Sequence, residues 1–264
     1  MIGLCTDSSA ELPAALAEEL QVEIVPLTVT IDGDEHLDGI GIDADAFYAL
    51  FDHGHRPVVA TSEPSPGQFA AAYEDLIARG CTSILSVHLS PTLASTLNPA
   101  RIAARSVDVP VRVIDSGTGG FAMGGCVWAA REAIDRGGSL EVVAAAAEHA
   151  AATVNNTVLL RADTPGITPY TMFTFHRSGA NVLGRYDHAV DAINAITSAA
   201  VTFGTGLRVG IGHTDCGSKP LADAIEDGIG AAANVLEVVR YRIGPAMGAL
   251  TGPGAVACVM FPGP

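Results

Sequence analysis

Apolar and polar positions along this chain follow two alternating periods, and their order predicts an architecture. A short apolar run, Ile2 to Cys5, breaks into Asp7-Ser8-Ser9, and around Pro13 the residues Leu12, Leu16 and Leu20 recur every four positions. That spacing predicts a strand, a polar loop and a helix opened by proline, whose fixed φ suits a first helical turn. Val22 to Ile31 is rich in β-branched residues, and Asp32-Gly33 supplies the backbone freedom of a tight hairpin before Leu37. A second helix is expected from about Asp43, carrying Phe47, Leu50 and Phe51. Ser65-Pro66-Gly67-Gln68 matches a helix start, with a capping hydroxyl, proline at the first position and Gln at the third, and Gly80 ends that helix.

The same grammar repeats through the apolar run Ile84 to Val87, a polar segment from Ser90 to Thr96, a helix to Ser106 interrupted early by Pro99, and the strand Val111 to Ile114. Two helices follow, Met123 to Arg136 closed by Gly137-Gly138, and an alanine-rich one capped by Ser139 and running to about Ala152. Strands alternating with helices imply right-handed crossovers and a parallel sheet. Beyond that point the pattern changes. Thr157 to Leu160, Met172 to Phe175 and Val182 to Tyr186 form short strand signals, with Ser178-Gly179 a hairpin candidate. A helix near Asp187 to Val201, the strand Val209 to Ile211, a helix from Pro220 to Ala233 and the strands Val235 to Arg240 and Val256 to Phe261 complete the chain. The predicted fold class is α/β with two domains. Residues 1–152 form a parallel sheet with flanking helices, and residues 153–264 form a smaller α/β domain with a mixed or antiparallel sheet.

Of the 264 residues, 48% are hydrophobic and 16% charged, a balance that excludes a disordered chain. Fourteen Lys and Arg against 29 Asp and Glu leave a net charge of −15, which repels phosphate backbones, so nucleic acid is not an expected partner. Cys5, Cys81, Cys126, Cys216 and Cys258 are widely spaced without zinc-type pairing, and are expected to be buried thiols of a reducing cytoplasm. Neither a secretory leader nor an 18-residue apolar span is visible, so a cytoplasmic location without stable membrane insertion is expected, and any lipid would be carried rather than embed the protein.

Ligands of open parallel sheets collect at the carboxyl ends of the strands. Four polar segments are expected there: Thr6 to Ser9, Thr61 to Ser65, Ser90 to Thr96 and Asp115 to Thr118. Hydroxyls dominate them, lysine is absent, and His88 stands at an edge. Singly, such residues most often cap helices. Together they make a patch that hydrogen-bonds a polar head group rather than an acid-base machine. No nucleophile elbow or phosphate loop occurs, and Gly117-Thr118-Gly119-Gly120 and Gly204-Thr205-Gly206 complete no dinucleotide fingerprint. Asp52, His53 and His55 lack further ligands for a metal, and His213 before Asp215 is expected to bond locally. No catalytic residue and no metal site is predicted.

Several ordered motifs resemble one known family. Cys5-Thr6-Asp7-Ser8-Ser9-Ala10-Glu11-Leu12-Pro13 is similar to the opening signature of DegV proteins, followed by Val25-Pro26-Leu27 and Asp38-Gly39. Thr61-Ser62-Glu63-Pro64-Ser65-Pro66-Gly67 is similar to the family's T-S-Q-P-S-P-G segment, and Val113-Ile114-Asp115-Ser116, Ile243-Gly244-Pro245 and Thr251-Gly252-Pro253-Gly254 complete the set. The resemblance implies a DegV-like pair of α/β domains holding a long-chain fatty acid between them, its carboxyl on hydroxyls and its chain in an apolar tunnel, without a cofactor. It further implies delivery of the acid to a separate fatty acid kinase. Thr61 matches the first carboxyl-binding position, whereas Ala94 stands at the serine of the family's L-S-G-T and Leu250 at its histidine before T-G-P-G. The family's L-x-x-L-x-x-G-G-R-I stretch has no counterpart after residue 160, where Arg161, Arg177 and Arg185 are the cations. The expected lipid contacts are Thr61, Ser62, Ser95, Thr96 and Ser116. The alternatives are a hydrolase or transferase acting on an acyl or phosphorylated small molecule in the same cleft, and a divergent member without a lipid function.

Overall fold

The structure, a computed structural model, describes residues 1–90, 96–162, 169–176, 179–204, 206–230 and 232–263. The first half is built from β1 (Ile2–Asp7), α1 (Ala14–Glu19), β2 (Val22–Val25), β3 (Thr28–Ile31), β4 (Asp34–Leu37), α2 (Ala44–Ala49), β5 (Val59–Ser62), α3 (Pro66–Ala78), β6 (Ser83–His88), α4 (Leu97–Ala103), β7 (Val111–Asp115), α5 (Phe121–Asp135) and α6 (Leu140–Thr153). The second half contains β8 (Asn155–Arg161), β9 (Tyr170–His176), β10 (Gly179–Tyr186), α7 (Ala189–Phe203), β11 (Leu207–His213), α8 (Lys219–Gly230), β12 (Val235–Arg242), α9 (Pro245–Thr251) and β13 (Val256–Pro262).

The expected α/β architecture is present. A sheet ordered β2-β1-β6-β7 is parallel throughout. A six-stranded sheet ordered β10-β9-β8-β13-β11-β12 is antiparallel except for the parallel β11–β12 pair. The Ser65 capping box forms in full, with Ser65 Oγ accepting from Gln68 N and Gln68 Oε1 accepting from Ser65 N. Asp32 and Gly33 both take positive φ, 51° and 100°, the turn that joins β3 to β4 with a twist matched to the strands.

Four local expectations need correction. The run from Val22 to Ile31 is not one strand, because Pro26 lacks an N–H and breaks the ladder; β2 joins the parallel sheet while β3 leaves it. Thr61 and Ser62 therefore end β5 of a separate antiparallel sheet, β4-β3-β5, rather than following a strand of the parallel sheet. Ser139 stands at the N-cap of α6, but its hydroxyl donates to Glu141 instead of capping. Cys216 is exposed, unlike the other four cysteines.

The sequence pattern also misses α9, whose glycines lower helix propensity. It forms because it docks on α2, where Gly248 faces the Tyr48 hydroxyl so closely that a Cβ would lie 2.4 Å from it. The largest buried cluster runs across both halves, joining Leu4, Val87 and Val127 to Val158, Tyr241 and Val259. At its centre Phe121 stacks on Tyr241 with ring centroids 4.8 Å apart, a packing that requires Gly210 on β11, where a Cβ would sit 2.2 Å from the Phe121 ring.

Candidate functional site

A narrow apolar cavity of about 40 Å³ lies against the six-stranded sheet and runs beside α9. The backbone turn Gly119-Gly120 and Phe121 at the start of α5 form one wall, and Asn156 and Val158 on β8 with Phe175 on β9 form another. Met247, Leu250 and Thr251 come from α9, and Tyr241, Ile243, Ala257 and Glu11 close the remainder. Leu250 is 55% exposed, so the cavity opens at the C-terminal end of α9; at the N-terminal end Glu11, 8% exposed, and Tyr241 also line a larger open cleft of about 970 Å³. Seven helical residues separate those ends by roughly 10 Å.

The N-terminal end of α9 is held by two acidic side chains of the N-terminal half. Glu11 follows a 3-10 turn, Ser8–Ala10, in a left-handed conformation with φ 55°, which swings its side chain inward. Its Oε2 accepts from Gly244 N at 2.8 Å, and Asp38 Oδ1 accepts from Ala246 N at 3.2 Å. The two together hold the turn into α9. Glu11 Oε1 is buried without a hydrogen-bond partner among the described residues. Burial pushes the Glu11 carboxyl well above the usual carboxylate range, the charge of Asp38 pushes it further, and the Gly244 N–H works against both. Asp38 is also raised by burial, opposed by its hydrogen bonds from Ser8 and Ala246. Tyr241 is raised by burial first and then by Glu11.

The residues nominated from sequence fall at different places. Thr61 and Ser62 are exposed at the end of β5, a strand that contacts α9. Thr96 is fully buried before α4, and its Oγ1 has no hydrogen-bond partner among the described residues. Ser116 is buried and already engaged, donating to Thr118 O at 3.0 Å. Ser95 lies outside the described residues, as do Ala94, Arg177 and the Ser178 hairpin position. None of the four described residues lines the cavity wall itself. The wall residues come from separate elements: Glu11, Gly119, Gly120, Ile243, Leu250 and Thr251 fall in segments or positions singled out in the sequence, whereas Asn156, Val158, Phe175, Tyr241, Met247 and Ala257 belong to no motif.

His88 is not at an edge. It is fully buried at the end of β6, with Nδ1 2.8 Å from Asp7 Oδ2 and Nε2 2.6 Å from Ser86 Oγ, while Tyr73 donates to Ser86 at 2.9 Å. Asp7 also accepts from Ser9 N at 3.2 Å and from the Ser9 hydroxyl. The order Asp-His-Ser is that of a nucleophilic relay. All three side chains are fully buried and Ser86 is already bonded to Tyr73, so this network ties β1 to β6 rather than attacking a substrate. His53 and Asp52 lie on an exposed turn, and His55 faces Asp32 at 3.8 Å. Among the described residues no group of three or more His, Cys, Asp or Glu converges as metal ligands, and no helix is long and apolar enough to cross a membrane.

Comparison with known proteins gives a consistent set of likenesses. Residues 1–161 match the family described as "Uncharacterised protein, DegV family". A DegV domain-containing protein of Streptomyces coelicolor is 40% identical over 152 residues, covering 57% of this chain and 53% of that protein. One of Streptococcus pyogenes is 35% identical over 147 residues, 56% of this chain and 52% of the relative, so the matches span about half the length of these relatives. The fold is shared more widely than the sequence. The fatty-acid-binding DegV family protein of Thermus thermophilus superposes with a TM-score of 0.89 at 24% identity, covering 99% of both chains. DegV of Bacillus subtilis, a fatty acid binding protein, gives 0.86 at 22% identity, again over 99% of both. A DegV family protein from Eubacterium eligens loaded with heptadecanoic acid gives 0.83 at 18% identity over the whole of each chain.

Proposed function

The chain belongs to the DegV family, and from that premise we propose that it is a non-catalytic carrier of one long-chain fatty acid. Residues 1–152 supply the head-group loops, and residues 153–264 supply the sheet that covers the acyl chain. The observation that carries this reading is the apolar cavity beside α9, lined by Glu11 near one end of the helix and open at Leu250 at the other. A chain in it contributes about 0.8 kcal/mol for each methylene removed from water, enough to hold the acid with few polar contacts. The cavity takes only about three water-sized groups as it stands. A long chain therefore enters by displacing wall side chains, and Met247, unbranched and adaptable, is the side chain best suited to move.

The carboxyl belongs at the open end, against Thr61 and Ser62, with the unpartnered Thr96 hydroxyl and Ser95 as further donors. Ser116 supports this surface through Thr118 instead of reaching the ligand. Hand-over to a fatty acid kinase is the finer step that the resemblance implies. Leu250 at the family's histidine position offers an exposed apolar side chain there, so our proposal is confined to holding the acid.

The test is to purify the protein, denature it and analyse the released lipid by mass spectrometry. About one equivalent of fatty acid is expected, because a deeply buried chain leaves slowly. If no lipid is released, and added palmitate and oleate leave the melting temperature unchanged, the proposal fails, since a ligand of the native state must stabilise it.

A further inference from the structure

Among the residues that line the apolar cavity, Glu11 is the one that carries a carboxyl. We propose that Glu11 is a recognition group for a hydroxyl carried along the acyl chain, so that the preferred cargo is a monohydroxylated long-chain fatty acid. This rests on the carrier reading above and deepens it.

Three observations support the assignment. Glu11 lines the same cavity as Phe121, Val158 and Met247, and the accessible surface of that cavity is almost wholly apolar. One of its carboxyl oxygens is committed to Gly244 N, while the other is buried with no partner among the described residues. Its backbone is in a left-handed conformation, and Asp38 anchors the same turn into α9, so displacing the carboxyl gives up a hydrogen bond that holds the start of that helix. A buried oxygen left unpaired carries a penalty that a ligand hydroxyl removes. The same hydroxyl in a wholly apolar tunnel would instead be stranded and rejected. Glu11 thus inverts the selectivity that the rest of the cavity would impose.

The position of the group along the chain follows from the geometry. The carboxyl head sits near the open end and Glu11 roughly 10 Å deeper, one length of α9 away. That distance falls short of a fully extended long-chain acid, so the hydroxyl belongs in mid-chain, with the remaining carbons continuing past Ile243 and Tyr241.

The experiment measures the affinity of stearic acid and of a positional series of monohydroxystearic acids by displacement of a fluorescent fatty acid. One mid-chain isomer is expected to bind about five- to 150-fold tighter than stearate, with isomers on either side falling back. Glu11→Met, which removes the polar group at similar volume, should abolish this preference. Glu11→Gln, which keeps a carbonyl for Gly244 and a hydrogen-bonding amide, should retain it. If stearate and every isomer bind equally, or stearate binds best, the proposal is overturned while the carrier reading stands. If the preference survives in Glu11→Met, Glu11 is not the recognition group. If no acid of the series binds, the carrier reading falls and this inference falls with it.

Discussion

Gly248 tests whether α9 is held in place by its contact with α2. Replacing it with alanine would ordinarily favour a helix by about 1 kcal/mol, because alanine loses less backbone entropy than glycine. Here the new Cβ would lie 2.4 Å from the Tyr48 hydroxyl and 2.9 Å from Phe47 Cε1. Neither ring is free to retreat: Phe47 and Tyr48 are 0% and 5% exposed and pack edge to face at 5.1 Å. Overpacking of this kind costs about 1–3 kcal/mol. Clash and propensity together leave Gly248→Ala about 1 kcal/mol less stable than the parent, a fall of roughly 2–4 °C in melting temperature for a chain of this size. Tyr48 sharpens the test, since its hydroxyl is buried without a hydrogen-bond partner among the described residues. Tyr48→Phe alone should be neutral or stabilising. Combined with Gly248→Ala it removes the 2.4 Å contact, so the double variant should recover stability with a coupling of about 1 kcal/mol in a urea-denaturation cycle. If Gly248→Ala is more stable than the parent, or the two substitutions are additive, the tight seat of α9 on α2 is refuted.

Further outcomes follow from the same contacts. Because burial raises Glu11 and Asp38, their contribution to stability is complete below the unfolded carboxyl values of about 4 and is lost as pH rises through the higher folded values. Glu11→Gln cannot ionise, so its melting-temperature gain over the parent should grow from pH 4 to pH 8 in steps followed by calorimetry, and a pH-independent difference would contradict the argument. Thr61→Ala should weaken fatty-acid binding about five- to 150-fold by calorimetric titration, whereas Ser116→Ala should lower stability with little change in affinity; the reverse result would mean that the head group lies elsewhere. His88→Ala strands the buried Asp7 carboxylate and should cost about 3–5 kcal/mol in urea denaturation, and a variant within 1 kcal/mol of the parent would show that the Asp7–His88 pair is dispensable.

The sequence by itself determined the features that depend on neighbours along the chain. The Ser65 capping box, the Asp32-Gly33 hairpin and the alternation of strands and helices through β7 are set by interactions spanning a few residues, and each was legible in residue type and spacing. The ordered motifs were legible for the same reason, which is why the family could be recognised before the fold. Tertiary structure decided what depends on residues far apart in the chain. Glu11 meets Gly244 across 233 positions and Asp38 meets Ala246 across 208, so neither the burial of these carboxyls nor the unpartnered oxygen could be seen in any local window. His88 looked like an edge residue because its partner, Asp7, is 81 positions away on a neighbouring strand. The helix α9 runs against its own glycine content and exists because α2 receives it, and the cavity beside it is assembled from elements of both halves. A strand or a cap is encoded in local periodicity, but a cavity is the space left between surfaces that only long-range packing brings together.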